Sequence, residues 1–456
     1  MADLLQLPAL GARQAYHALR RDTLADVTGA PVAELSLVPP LFVDRTVQEL
    51  RRARPLPAAE RIAALRRAGE IFAEGTPDGQ TVDDYQLAVC RVGGVPMPVV
   101  QGATEIIRRA CATVQQVLDA ARPGGAVSDW RDESTRWGSA VWTRRGEVLG
   151  VVAAGNHPGV HSFWLEALAL GYRVAVRPSR REPFTPFRLI AALREAGFGA
   201  DQVAFLPCDH HGGDVLVQAT DLSVVYGGDD VVKAYGHDPR VLVQGPGRAK
   251  ILVGADADWR AQLDTITTSI AHNAGLTCVN TTAVLVEGDH TAVAEAVAEL
   301  LVELPSLRPE LEKAALPVEP LGSAERLDAY LRATSAGANR LTGTGAFHEP
   351  LSDGSAVLRP AVLALPSATA GQLRVELPFP CVWIAPWSRA DGLEPLGESL
   401  VLTAMTGDAQ LVDDLLAMPT VANLYLGAYP TTWFEPGLPH DGFLADFLMR
   451  NKAFAR

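Results

Sequence analysis

No apolar run in the 456 residues approaches the ~20 needed to cross a bilayer as a helix, so a membrane-spanning helix is not expected. Cysteine is scarce. The five present, Cys90, Cys111, Cys208, Cys278 and Cys381, are odd in number and widely scattered, which indicates neither a disulfide framework nor a zinc site. Positive charge is in deficit, with 40 Lys and Arg against 53 Asp and Glu and a formal charge of −13. That balance argues against a nucleic-acid binder and leaves small molecules or proteins as partners. The opening lacks a signal-peptide pattern, since Met1 to Ala15 carries Asp3 and Arg13 within what reads as a short leucine-rich helix. No internal repeat or low-complexity segment is visible. A cytoplasmic protein with reduced thiols is the expectation.

The composition that remains is globular: 48% hydrophobic, 20% charged, with 40 Gly and 32 Pro spread without period. Length alone suggests ~3 structural units. Helical patterns cover Val47 to Gly75 (broken at Pro55 and Pro57), Val82 to Arg91 and Thr104 to Ala121. Ser128 to Arg145 reads as an exposed hairpin. Strands then alternate with helices: Glu147–Ala154, Tyr172–Arg177, Val203–Leu206 and Leu222–Tyr226 are the strand candidates, separated by short helical stretches. Such alternation implies an α/β fold with a doubly wound, mostly parallel sheet. Ligands of such sheets sit at the carboxyl ends of strands, where Asn156 and Gly227-Gly228 fall. A second α/β unit follows, with a helix at Trp259–Ile270, strands at Ala283–Val286, Ser355–Leu363 and Val421–Tyr425, and a last helix from Gly442.

Between that Trp259 helix and the β-branched run from Thr281 lies Asn273-Ala-Gly-Leu-Thr-Cys278, which puts a thiol at a helix-to-strand junction. A lone cysteine is more often a core residue. Its company changes the reading. In order along the chain come Gly155-Asn-His-Pro158, Arg177-Pro-Ser-Arg180, Tyr226-Gly-Gly228, Gln244-Gly-Pro-Gly-Arg-Ala-Lys250, the Cys278 motif, and Val375-Glu-Leu-Pro-Phe379. This order resembles the aldehyde dehydrogenase superfamily, and its departures resemble the acyl-CoA (acyl-thioester) reductase branch, over roughly residues 45 to 450. The resemblance implies an NAD(P)-binding domain (1–126 and 147–243), a catalytic domain (244–425) and an oligomerisation hairpin with a C-terminal tail (127–146 and 426–456), assembled as a dimer or tetramer.

The resemblance also assigns roles. A Cys278 thiolate would attack a carbonyl and pass through an acyl-enzyme thioester. The oxyanion donors would be the cysteine's backbone N–H and the Asn156 amide, each such donor being worth ~10²–10³ in rate. Asn156 could instead be a turn residue, since Asn tolerates left-handed backbone. Gln244 stands 34 residues before Cys278, where the hydrolytic members of the family carry a glutamate base. An amide cannot take that proton, which favours a thiol (CoA or a carrier-protein phosphopantetheine) over water as acyl partner, unless another carboxylate serves. Arg177, Ser179 and Arg180 occupy the ribose-binding Lys-Pro-Ser-Glu motif. Arginine in place of the acid favours NADPH, with NAD(H) possible.

Gly227 and Gly228 match the pyrophosphate glycines, while Glu376 and Phe379 match the nicotinamide side. His157 and His161, read as i, i+4 on one helix face, together with Val160 and Trp164, are expected to line an acyl tunnel; Thr277 and Val279 flank the nucleophile. No third ligand makes the two histidines a metal site. Three functions remain open: reduction of an acyl thioester to the aldehyde, oxidation of an aldehyde to the acid, and a degenerate binding subunit.

Overall fold

A computed structural model describes residues 4–456. Its first large sheet runs in the order Val241–Gln244, Leu222–Tyr226, Val148–Val152, Arg173–Arg177, Val203–Phe205, Ala9–Leu10, Ala15–Tyr16. The first five strands are mutually parallel and the last two antiparallel. Their runs (Val-Leu-Gly-Val-Val, Arg-Val-Ala-Val-Arg) are buried on both faces, as expected where helices cover a parallel sheet on each side. The covering helices include Pro40–Arg52, Ala58–Glu74, Phe184–Glu195 and His210–Ala219.

The second sheet is ordered Asn339–Arg340, Ala361–Ala364, Cys381–Pro386, Thr281–Val286, Ala249–Val253, Ser399–Met405, Val421–Leu426. All but the first of these strands are parallel to their neighbours. The sequence reading missed two central strands here. Ala249–Val253 follows a Gly-Pro-Gly loop that reads as irregular, and Ser399–Met405 was passed over although Gly397 and Gly407 bound it.

Four elements differ from expectation. The opening is not a helix: Leu5–Leu7 pairs in parallel with Pro31–Ser36, and Ala9–Leu10 extends the first sheet. Residues 127–146 are not a hairpin. Ser139–Arg144 pairs antiparallel with Met449–Phe454, and the residues before it form a helical turn, Glu133–Trp137. The C-terminal helix is therefore only Leu444–Leu448. Met, Lys and Ala in the last strand favour helix locally, and long-range pairing overrides that preference. The expected strand Ser355–Leu363 is two, Ser355–Leu358 and Ala361–Ala364, in different sheets; Pro360 lacks the N–H that a continuous ladder requires.

The two large sheets meet end to end. Carboxyl ends of the first sheet's strands face amino ends of the second's, as the contacts of Asn156 with Leu276 and of Asp229 with Arg248 show. Among the described residues, no helix is long and apolar enough to cross a membrane.

Candidate active site

Cys278 lies seven residues beyond the end of the Leu263–Ala271 helix and three before the Thr281–Val286 strand. The backbone between turns left-handed at three successive residues, Asn273 (φ 52°), Ala274 (φ 59°) and Gly275 (φ 69°). For Asn and especially Ala this conformation costs energy, so the surroundings must hold it. Asn280 supplies much of the hold. Its buried side chain donates to the carbonyls of His272 (2.9 Å), Ser269 (3.2 Å) and Ile270 (3.3 Å), and accepts from the Thr277 N–H (2.9 Å) and hydroxyl (2.6 Å). From the opposite domain the Asn156 amide donates to the Leu276 carbonyl at 2.6 Å. Gly247 passes so close that an added Cβ would overlap the Cys278 carbonyl oxygen.

The other four thiols are buried, whereas Cys278 is half-buried. Burial pushes its thiol up to about 12, and the carboxylates of Glu376 and Asp441 add to the effect, while the N–H groups of Cys278 and Val279 oppose it. A thiol in that state is almost wholly protonated near pH 7. It becomes a nucleophile only where something accepts its proton. One such group in hydrogen-bond reach is His440, whose Nε2 lies 3.8 Å from Sγ. Burial holds this imidazole below its usual range, so it is neutral and able to accept. His440 comes from the segment after the last strand of the catalytic sheet. That segment crosses back over the site and is anchored by Thr431, whose N–H donates to Ser269 Oγ at 3.0 Å, and by Asn423, whose amide donates to the His440 carbonyl. Sequence reasoning missed both His440 and Asn280. An isolated Pro-His-Asp in a loop carries no local signal, although Asn280 lies within the motif already singled out.

Gln244 ends the first sheet's edge strand, paired with Tyr226. Its Nε2 is buried without a hydrogen-bond partner, so the amide offers a free donor and no basic function. Glu376 is half-buried, and burial raises its carboxyl. Its Oε2 accepts the Arg248 N–H at 2.8 Å. The Arg248 guanidinium in turn donates to both oxygens of Asp229 (2.8 and 2.7 Å), joining the two domains beside Gly228.

On the first domain's side, Arg177 donates from Nε to the Cys208 carbonyl at 3.3 Å. Ser179 Oγ accepts the Arg181 N–H at 3.2 Å, and Arg180 is exposed and ion-paired with Asp22. Gly227 is required by packing, because an added Cβ would overlap Val231; beside Gly228 the nearest atom is the Asp230 carboxylate at 3.3 Å.

Several residues do not fill the expected places. His157 and His161 do not share an α-helical face, because the chain from Pro158 to Ser162 is a tighter 3-10 turn. In its three-residue period, positions four apart diverge. His161 is fully buried, accepts the Trp164 indole N–H at Nδ1 (3.1 Å) and lies 3.9 Å from Glu182. Trp164 itself packs in the core of the first domain. Both are interior residues and do not line an open passage. His157 accepts the Gly159 N–H through Nδ1 (3.0 Å) and is also buried; Val160 is half-buried beside it. Phe379 is buried in the catalytic-domain core, so its ring is not free to meet a nicotinamide. The Thr277 hydroxyl is taken by Asn280, while Val279 is half-buried next to the sulfur. Among the described residues, no group of three or more His, Cys, Asp or Glu is placed to hold a metal ion.

The comparisons with known proteins bear on the family and the fold. The family model described as "Aldehyde dehydrogenase family" matches residues 20–392. A betaine aldehyde dehydrogenase of Agrobacterium fabrum (strain C58 / ATCC 33970) is 24% identical over 282 residues, which cover 58% of this chain and 55% of that protein. The chain thus spans about half the length of the curated relatives it matches. Among solved structures, an indole-3-acetaldehyde dehydrogenase in complex with NAD+ superposes with TM-score 0.84 at 18% identity, over 99% of this chain and 97% of that one. The aldehyde dehydrogenase KauB from Pseudomonas aeruginosa superposes at 0.83 and 17%, over 98% and 96%. Fold, motif order and family match together make this chain a member of the aldehyde dehydrogenase family.

Proposed function

We propose that the protein is an NAD(P)-dependent oxidoreductase that oxidises an aldehyde through a covalent adduct on Cys278. The observation that carries the reading is the half-buried Cys278, set at the junction of the two domains in a left-handed loop whose hydrogen bonds come from both. Attack of the sulfur on the aldehyde carbon would form a thiohemiacetal. The N–H groups of Cys278 and Val279 face the sulfur and would serve as donors to the developing oxyanion. The Asn156 amide, already directed at this loop, would complete the set.

A nicotinamide dinucleotide fits the residues present. An added side chain at Gly228 would meet the Asp230 carboxylate at 3.3 Å, Arg177 and Arg180 flank the strand ends, and Glu376 lies at the sulfur side. When bound, the dinucleotide supplies the hydride acceptor that turns the thiohemiacetal into an acyl thioester. Glu376 must then give up the Arg248 N–H, or share it, to reach a ribose hydroxyl. The absence of an acid at position 180 supports NADP(H), although a 2′-phosphate has to compete with Asp22 for Arg180.

A second reading, acyl-thioester reduction with CoA or a phosphopantetheine carrier, is favoured by one observation: the group at position 244 is a neutral amide with a free buried N–H. Such a donor can bind a thioester carbonyl, yet it cannot prime water. Self-association as a dimer or tetramer is part of the same proposal, because the Val421–Leu426 and Met449–Phe454 strands each leave one edge unpaired.

The test is a panel of aldehydes with NAD+ or NADP+, with and without CoA, following dinucleotide reduction and identifying acid or acyl-CoA by mass spectrometry. Cys278-dependent reduction is expected, and a requirement for CoA would select the second reading. Absence of turnover together with absence of dinucleotide binding would contradict both and indicate a binding subunit.

A further inference from the structure

We propose that His440 is the proton acceptor of Cys278, a catalytic base delivered by the C-terminal segment in place of the amide at Gln244. The inference rests on Cys278 being the nucleophile and adds the group that activates it. In the step envisaged, the Sγ–H bond breaks and the proton passes to Nε2. This leaves a thiolate and an imidazolium, and the thiolate electron pair then forms the bond to the carbonyl carbon.

Three observations support it. His440 Nε2 is 3.8 Å from Sγ, within reach of a sulfur hydrogen bond. Among the described residues no carboxylate is hydrogen-bonded to Sγ: Glu376 accepts the Arg248 N–H, and Gln244 is not an acid. The position of His440 is also fixed independently of the sulfur. The Asn423 amide donates to its carbonyl and, at 2.9 Å, to the Leu400 carbonyl, tying the segment to the edge of the catalytic sheet. Burial keeps the ring neutral, the form that accepts a proton. The titratable groups around the pair are Asp441 on the same segment, Glu376 from the approach to the Cys381–Pro386 strand, and Tyr226 from the first sheet. Asp441 and Glu376 carry negative charge. They oppose the thiolate, and Asp441 also stabilises an imidazolium.

The arrangement has a consequence for catalysis. A base held by a segment that crosses back over the site works without the family's glutamate, so the chain can be active with Gln244 in that position. Once the thiol has attacked, the same imidazolium can protonate a leaving thiolate or, after returning its proton, activate water.

The experiment measures alkylation of the full-length protein by iodoacetamide from pH 6 to 10, with Cys278 modification read by peptide mass. In wild type, modification should be measurable at pH 7 and faster than in either His440 variant. In His440→Gln it should fall at least tenfold and recover only as the pH is raised, with melting temperature held, because the backbone contact from Asn423 remains. In His440→Ala, added imidazole should restore the rate at pH 7. Unchanged alkylation in folded His440→Gln overturns the proposal, as does failure of imidazole to raise the rate of folded His440→Ala. Neither aldehyde nor dinucleotide is needed for this assay. If the pairing holds while no aldehyde is oxidised, the substrate reading alone fails. If aldehyde oxidation survives undiminished in His440→Gln, the base assignment alone fails.

Discussion

The two sides of the site are held by different forces. On the catalytic side, the loop from His272 to Asn280 is fixed by neutral hydrogen bonds, five of them from the one side chain of Asn280, and by backbone packed against Gly247. On the proposed dinucleotide side, the strand ends and their loops rely on ion pairs with one exposed partner each: Arg180 with Asp22, Arg181 with Glu319, Arg248 with Asp229. Buried neutral bonds fix geometry to within tenths of an ångström and are costly to break. Exposed ion pairs contribute ~0–1 kcal/mol and exchange readily for a charged ligand. The proposed nucleophile is therefore preorganised, while the proposed cofactor side is built to trade partners.

Breaking that contrast should cost most at Asn280. Asn280→Ala leaves three carbonyls and the Thr277 donors without their partner. We expect a loss of about 3 kcal/mol in urea unfolding and at least ~10²-fold in kcat/KM. A change below 1 kcal/mol would mean that the left-handed turn holds itself. Gly247→Ala comes next. Its methyl must displace the Cys278 backbone, so kcat should drop ~10²-fold with a smaller effect on stability; near-normal kcat would show that the loop yields.

How much of this was legible in the sequence follows the same division. The parallel strands of the first sheet could be read because they are largely apolar runs punctuated by Gly and Pro, with Asn156, Gly227 and Gly228 at their ends, while its two N-terminal strands read as helix. The second sheet was read in part. Lys250, which occupies the Ala249–Val253 strand, is buried with its ammonium donating to the Gly397 carbonyl (2.6 Å) and Ser399 Oγ (2.9 Å). A charged residue in a central strand breaks the apolar signal. Cys278 was found because a motif of six residues surrounds it. His440 was not, because it reaches the sulfur from 162 residues away through a segment without regular structure. Spacing places His157 and His161 on one helix face, and the Pro-Gly start makes that stretch a tighter turn in which the two diverge.

The interior of the first domain offers a test of the opposite kind, since not every buried polar atom there is satisfied. His161 Nε2 has no hydrogen-bond partner and faces Glu182 at 3.9 Å. Burial pushes Glu182 up to about 7 from 4.5. Between these values the unfolded chain ionises the carboxyl and the folded chain does not, so this group costs stability as pH rises and the full cost is present above pH 7. Glu182→Gln should therefore gain about 1–3 kcal/mol more at pH 8 than at pH 4.5, measured by urea denaturation at both. Equal changes at the two pH values would contradict the assignment. The smallest effect is expected at the surface. Asp22→Asn releases Arg180 and should tighten NADP+ binding a few-fold, by less than 1 kcal/mol, with little change for NAD+. A weaker grip on NADP+ in a fluorescence titration would show that Arg180 does not face the phosphate.

The central claim is that a single sulfur among the five carries the substrate. Acid-quenching the protein during turnover with an aldehyde and NADP+ or NAD+, then weighing its cysteine peptides, tests it directly. An acyl mass is expected on the Cys278 peptide and on none of those holding Cys90, Cys111, Cys208 or Cys381, which are buried. An acyl group on one of those four, or turnover that persists in Cys278→Ala, would contradict it.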